Sequence, residues 1–432
     1  MNARSDSRRA ARVYFRSVPD FIKVCRTLAA AAIAASIPAA CSSVVQGQPA
    51  LPPGAGGVAV ELLDAGNYPV KPRPALGAAG TATAGRSIDA ARMASFMAAP
   101  WDVDPTLVQN GGAAILRNPS ALSAVTAHTD EVTDAIGRHD FIYAFQVVRG
   151  GPNETKKAVR STVARFADPS AASSAATDIY TAALNSVFKF LPDRPGDPPA
   201  PVYPKIPTSI PGHPEAKAFT QDFTASQGRW EVNSYLAQGP YVLIVSVNAL
   251  DSASAVALAG QIMDKQGPQI DQFQPSDPAR FAELPIDPTG LLARVLPVSD
   301  DDRVVTQRKT YDARGWLLFD SAPIQTNALF SDPAVSVDLV AVEGATVYRA
   351  KDSAGAVKLL QGFVDEVGKE QPPQKPVERV QFLTSSRCFE IGDATMFHCL
   401  ASYDRYLIET SGKFLRDVQQ KIGAQVRLLA AN

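Results

Sequence analysis

Asp168-Pro169-Ser170-Ala171-Ala172-Ser173-Ser174-Ala175-Ala176-Thr177-Asp178-Ile179-Tyr180 opens a pattern that occurs twice in the chain, and the recurrence decides the fold. Asp168 is a helix cap, and Pro169 suits the first helical position, where no backbone N–H is needed. Ala176, Ile179, Ala183, Val187 and Phe190 continue one face of that helix. Lys351-Asp352-Ser353 starts a matching helix, with Val357, Leu360, Val364 and Val367 along its face. Both helices run into proline-rich loops, at 192–214 and 372–376. Three strand-like runs follow each loop: 219–224, 230–236 and 241–248 in the first case, 387–391, 396–402 and 405–410 in the second. An amphipathic helix closes each unit. Over 252–270 it is lined by Val256, Ala259, Ile262, Met263 and Gln266; over 412–429 by Leu415, Val418, Ile422 and Val426.

Two copies of a (ββ)αβββα unit describe this order, with 141–148 and the alternating 159–166 as the leading strand pair of the first. The fold class expected is α+β, in two duplicated units, each an antiparallel sheet with helices packed on one face. The join falls near 285–297, where Pro285, Pro288, Gly290 and Pro297 interrupt the pattern. This places an N-terminal domain at 58–285 and a C-terminal domain at 286–432. Ahead of the first unit, 58–63 reads as a short strand, 87–98 as a short amphipathic helix and 120–136 as a second one.

The N-terminus carries an address. Seven basic residues (Arg4, Arg8, Arg9, Arg12, Arg16, Lys23, Arg26) precede the apolar run 28–40, against only Asp6 and Asp20. That asymmetry marks an export signal. The run is about 13 residues, short of the roughly 20 a membrane-spanning helix requires. Pro38-Ala39-Ala40-Cys41 is similar to a bacterial lipobox, although Pro38 stands where Leu is usual, so Cys41 is the expected lipidation site. Simple cleavage near Ala40 is the rival, and Arg8-Arg9 invites a twin-arginine reading. On this reading 1–40 is a signal peptide, and 41–57, rich in Ser, Gln, Pro and Gly, is a flexible tether.

The signal also sorts the four cysteines. Cys25 leaves with the peptide and Cys41 is acylated, so Cys388 and Cys399 remain as one pair in an oxidising compartment. A turn at 392–395 places 388 opposite 399, 389 opposite 398 and 391 opposite 396, within bridging reach. Closing so short a loop stabilises by roughly 3 kcal/mol in the chain-entropy account. A metal site from Cys388, His398 and Cys399 would lack a fourth ligand at a familiar spacing.

Charge excludes one function class. Residues 1–40 hold seven of the 42 basic and two of the 43 acidic side chains, so the remainder has 35 basic against 41 acidic, a net charge of −6. Nucleic-acid binding calls for a basic footprint, and none is present. The apolar fraction of 46% is that of a chain with packed cores.

Asp64-Ala65-Gly66-Asn67-Tyr68-Pro69-Val70-Lys71-Pro72-Arg73-Pro74 is a proline-stiffened, extended arm. Together with Gly85-Arg86-Ser87, Arg92-Met93 and Arg387-Cys388-Phe389, it resembles a family of uncharacterised actinobacterial cell-envelope lipoproteins. The resemblance implies an exported lipoprotein of unknown function and supplies no catalytic residues.

Motifs that carry chemistry are missing. No Gly-x-Ser-x-Gly elbow occurs, and Gly54-Ala55-Gly56-Gly57 lacks the Lys-Ser/Thr of a phosphate loop. His128, His139, His213 and His398 are the only imidazoles, none at zinc-protease spacing; His213 reads as part of a turn. Asp300-Asp301-Asp302 reads as a solvated acidic loop rather than a cation site. The sequence therefore leads to a protein anchored by lipid on the outer face of the cell membrane. Expected partners are the membrane itself and a small-molecule or lipid ligand, or a protein, in a groove between the two units. No catalytic residue and no cofactor are called. The alternatives are an extracytoplasmic hydrolase using one histidine with a nearby acid, and a structural subunit of an envelope complex.

Overall fold

The computed structural model describes residues 58–186, 202–298, 308–369, 374–392 and 395–431. The signal, Cys41, the tether and the acidic loop 300–302 lie outside them. Helix α1 (Ala82–Met93) begins before the expected 87–98 because Thr81 caps it, its side chain accepting from the Ala84 N–H. Strand β1 (Gln109–Leu116) follows. The single helix expected over 120–136 is two. Asn118 caps α2 (Pro119–Thr126), His128 turns the chain at a φ of 52°, and Thr129 caps α3 (Asp130–Gly137). A residue in the left-handed region cannot continue an α-helix.

Strands β2 (Phe141–Gly150) and β3 (Ala158–Phe166) lead into α4 (Pro169–Asn185), which starts at the Asp168 cap. Val187 and Phe190, expected to extend its face, lie outside the described residues. Then come β4 (Lys205–Ile210), β5 (His213–Asp222), the one-turn α5 (Thr224–Gln227), β6 (Trp230–Gln238), β7 (Tyr241–Ala249) and α6 (Ser252–Ile270). The second half runs β8 (Lys309–Tyr311), α7 (Ala313–Leu317), α8 (Pro323–Ser331), β9 (Leu339–Val342), β10 (Thr346–Arg349) and α9 (Ser353–Val367). It ends with β11 (Lys375–Val377), β12 (Ser386–Ile391), β13 (Met396–Tyr403), β14 (Tyr406–Gly412) and α10 (Leu415–Ala430).

The two halves form two seven-stranded antiparallel sheets of one topology. The first has the order β1-β2-β3-β7-β6-β5-β4, the second β8-β9-β10-β14-β13-β12-β11. The main connections match, with a helix pair after the first strand, one helix after the third and one after the last, while the one-turn α5 occurs, among the described residues, in the first half alone. The α+β class and the duplicated units are as the sequence pattern indicates.

Three local readings change. Each meander has four strands rather than three, because the proline-rich loops contain β4 and β11. Both are outermost strands, where a proline is tolerated because one side of the strand has no partner. His213, read as part of a turn, is the first residue of β5; the turn itself is made at Gly212, whose φ of +82° suits glycine. The stretch 58–63 forms a 3-10 turn at Val60–Leu62 instead of a strand. Its apolar residues are held by packing: Leu63 joins the core around α10, and a Cβ on Gly423 of that helix would stand 2.4 Å from the Asp64 carbonyl oxygen.

The helices cover both faces of each sheet, not one as expected. On β3, Val159 and Val163 point into the core with Ala255, Ala259 and Ile262 of α6, whereas Ala164 and Phe166 point into another with Ala172, Ala176 and Ile179 of α4. In the second sheet Leu400 and Leu407 share a core with Leu359 and Leu360 of α9, and Cys399, Ala401 and Ile408 with Val418, Ile422 and Val426 of α10. The cause is visible in the central strands: β2 and β7 are apolar on both faces, and each exposed face has to be buried.

One continuous core runs from the α6 face of the first sheet through α7 to the α9 face of the second. Asp89 of α1 is pinned beside it, fully buried, accepting from the Tyr143 hydroxyl (2.6 Å), Arg165 (2.8 Å), Arg92 (2.7 Å) and Ser276 (2.8 Å). Every one of its charge-assisted bonds is made, which is what a buried carboxylate requires. The arm 64–74 lies on the C-terminal unit, where the Tyr68 hydroxyl donates to Asp417 and Arg73 forms a bidentate pair with the nearly buried Glu343.

Candidate functional site

The α9 face of the second sheet is not filled. A cavity of about 580 Å³ lies between that face, α9 and the segment joining α7 to α8. Its walls are aromatic. Trp316 and Phe319 stack with centroids 5.7 Å apart, and Tyr348 meets Phe363 edge to face at 5.2 Å.

The sheet supplies a polar floor. His398 on β13 and Glu409 on β14 meet at 2.9 Å (Nε2 to Oε1), and the Tyr348 hydroxyl on β10 donates to Glu409 Oε2 at 2.6 Å. Burial pushes the Glu409 carboxyl up, but the hydrogen bond and charge of His398 and the Tyr348 hydroxyl outweigh it, so its pKa lies below the ordinary value. Tyr348 is driven well above its usual 10 by burial and by the Glu409 charge.

A second carboxylate enters from the α7–α8 connection. Asp320 Oδ1 accepts from the Ala322 N–H (2.7 Å) and the Thr326 hydroxyl (3.0 Å), and Oδ2 accepts no hydrogen bond from a described residue. Burial, reinforced by the Glu409 charge, raises its pKa against the opposing effect of these bonds and of Arg149. At the mouth, Lys369 pairs with Glu366 at 2.7 Å and is largely exposed.

The connection carrying Phe319 and Asp320 is held by the other unit. Arg149 on β2 is fully buried, donates to the carbonyls of Leu318 (2.9 Å), Leu317 (3.4 Å) and Val108 (3.2 Å), and lies over the Trp101 ring at 4.9 Å. It caps the C-terminal end of α7 with a positive charge, where the helix carbonyls favour one. Burial lowers its pKa to about 10, so it is charged at neutral pH. Asn110 of β1 donates to the Phe319 carbonyl (3.1 Å), and Phe145 packs edge-on against the Phe319 ring. A smaller cavity of about 290 Å³ adjoins across the Trp316–Phe319 pair, lined from both units by Asn110, Ala113, Tyr311 and Val342. From the sequence the ligand groove is expected between the units; the larger cavity is lined by the C-terminal unit alone.

Cys388 and Cys399 form a disulfide in the register expected, opposite one another on β12 and β13, with Phe389 opposite His398. They line the α10 core, and His398, one residue along from Cys399, points to the other face. The three residues of the rival metal reading therefore do not converge. His139 pairs with Asp178 (2.8 Å) and His213 with Asp264 (2.9 Å), both partners being well exposed.

Glu409, Tyr348 and Asp320 were not singled out in the sequence, yet the duplication contains a signal for two of them. The β13–β14 turn pairs Tyr403 with Tyr406, as the β6–β7 turn pairs Gln238 with Tyr241; Arg349 pairs with Tyr406 as Arg165 pairs with Tyr241. Counting from these anchors, Glu409 corresponds to Ile244, Tyr348 to Ala164, His398 to Asn233 and Leu400 to Tyr235. In the first sheet Ile244, Ala164 and Tyr235 are parts of an apolar core under α4, beside a pocket of about 240 Å³ lined by Phe219, Lys205, Glu231 and Asn233.

Comparison with known proteins adds a family. A model described as domain of unknown function (DUF7373) N-terminal matches residues 76–286, and one described as domain of unknown function (DUF7373) C-terminal matches 291–432. No curated protein matches the sequence. Among solved structures, the extracellular domain of PknH from Mycobacterium tuberculosis is similar at 13% identity and a TM-score of 0.31, covering 41% of this chain and 94% of that one.

Proposed function

We propose the following reading for this chain, which belongs to the DUF7373 family: it is an exported cell-envelope protein, lipid-anchored through Cys41, that binds a small apolar ligand in the cavity of its C-terminal unit without converting it. The observation that carries the binding part is the cavity itself, about 580 Å³ with aromatic walls and a small set of convergent polar groups. That combination of size, apolar lining and few oriented polar groups characterises small-molecule sites. A non-catalytic role is supported by the use made of the imidazole there: His398 Nε2 is engaged by Glu409, which is itself held by Tyr348.

Export is supported by the basic, apolar and small-residue order ahead of Cys41, and by a disulfide of the kind that persists in oxidising compartments. No helix among the described residues is long and apolar enough to cross a membrane.

A neutral environment-sensitive dye such as Nile red tests the cavity. Saturable binding to the wild type that is lost in Val367→Trp, a substitution that fills the cavity from α9, is the expected result; equal binding by both proteins would refute it. For the anchor, mass analysis of host membranes should show acylated Cys41, and Cys41→Ala should release the protein from them.

A further inference from the structure

We infer that the ligand of the C-terminal cavity is an organic cation, an amine or ammonium group on an apolar body, received by Glu409 and Asp320. This deepens the binding reading above and rests on it.

The first support is the duplication. In the N-terminal unit Ile244, Ala164 and Tyr235 are packed into an apolar core under α4, and the pocket on that face, about 240 Å³, is lined instead by Lys205, Glu231 and Asn233. Glu409, Tyr348 and Leu400 stand in the corresponding places around an open cavity. Folding of this topology therefore does not need a carboxylate at that position. A carboxylate drawn out of water is costly, and such groups concentrate where they meet a ligand.

The second support is the charge balance inside the cavity. Asp320, Glu366 and Glu409 line it against Lys369 and His398. Lys369 is turned to Glu366 at the solvent edge, and His398 is turned to Glu409. Arg149, whose charge reaches Asp320, directs its two Nη groups to the carbonyls of Val108, Leu317 and Leu318. Asp320 Oδ2 accepts from no described residue, and the like charge of Glu409 reaches it. Two carboxylates sharing one cavity, with the local cations already engaged, favour a positive guest.

The third support is the wall. Trp316, Phe319, Tyr348 and Phe363 present ring faces and edges around the same space, and aromatic faces attract organic cations electrostatically. A ligand with an ammonium end and an apolar body satisfies both carboxylates and rings.

Three probes of one shape separate charge from burial: 4-phenylbutylamine, 4-phenylbutanol and 4-phenylbutyrate, titrated against the full chain by calorimetry. The amine is expected to bind about tenfold or more tightly than the alcohol, as a charged hydrogen-bonded pair allows, and the carboxylate weakest. Glu409→Gln should bring the amine down to the affinity of the alcohol while leaving the alcohol unchanged. Glu409→Ile, the residue of the other unit, should fold and do the same. Equal binding of amine and alcohol to the wild type, or an amine preference that survives both Glu409→Gln and Asp320→Asn, overturns the charge assignment and leaves the cavity reading intact. Binding of none of the three, with Nile red also excluded, overturns both.

Discussion

His398 and Glu409 lie diagonally across β13 and β14, Nε2 2.9 Å from Oε1, on a face whose counterpart in the other unit carries Asn233 and Ile244. A single topology thus places apolar side chains at these positions in one copy and a polar cavity in the other. The side chains at matching positions govern where substitutions should act.

Glu409 and Asp320 should give pH dependences of opposite sign. The Glu409 pKa is held below its ordinary value of 4.5, so its contribution to stability is present above that pH and disappears as the pH falls through the lowered value. Asp320 is raised above 3.8, so the folded state keeps its proton longer than the unfolded chain, and stability is lost as the pH rises through the raised value. Urea unfolding from pH 3 to 7 should show less acid destabilisation in Glu409→Gln than in the wild type. Asp320→Asn should be at least as stable as the wild type at pH 7.

Arg149→Met should cost about 3 kcal/mol or more, because the carbonyls of Leu317, Leu318 and Val108 lose a charged donor in a buried place. Since the Leu317 and Leu318 carbonyls immediately precede Phe319 and Asp320, Nile red affinity should fall with stability. A variant that unfolds normally but binds the dye as before would show that the connection holds its position without Arg149.

Replacing both Cys388 and Cys399 by Ala should cost roughly 2–3 kcal/mol, since the bridge closes a loop with a sequence separation of 11. The bridge belongs to the α10 core. Dye affinity should therefore be unchanged once the protein is folded, and a loss of binding in the folded variant would contradict the separation of the two faces.

Gly423→Ala tests the packing of the N-terminal arm on α10. The added methyl would meet the Asp64 carbonyl oxygen at 2.4 Å, and backbone on both sides leaves little room to yield. A destabilisation of about 1–3 kcal/mol is expected from overpacking. Limited proteolysis should then cut within 58–76 faster than in the wild type; equal cleavage would mean that the arm is held by Tyr68 and Arg73 alone.

Much of the framework was legible because its signals are local. Asp168 and Asp352 cap their helices by accepting from the third residue on, and α6 occupies the 252–270 read from its periodicity. The β12–β13 register follows from a short turn that leaves one symmetric pairing. The break at His128 was not legible: a left-handed residue leaves no period, and 120–136 reads as a continuous apolar face. The edge strands β4 and β11 were hidden because Pro207 and Pro376 argue against a strand unless its unpaired side is known, and only the assembled sheet reveals that side.

The sequence by itself determined the duplication, the α+β class and the cysteine pairing, since caps, turns and spacing act over a few residues. Only the tertiary structure decided that both faces of each sheet are covered and that Tyr348, His398, Glu409 and Asp320 meet in one cavity. Those four come from three strands and a connection far apart in the chain, and what unites them is the packing of α7, α8 and α9 over one sheet face. The same strands in the N-terminal unit carry Ile244 and Ala164 at the matching positions, so the pairing of strands does not itself make this site. The residues turned toward the space beneath the helices make it, and their proximity exists only in three dimensions.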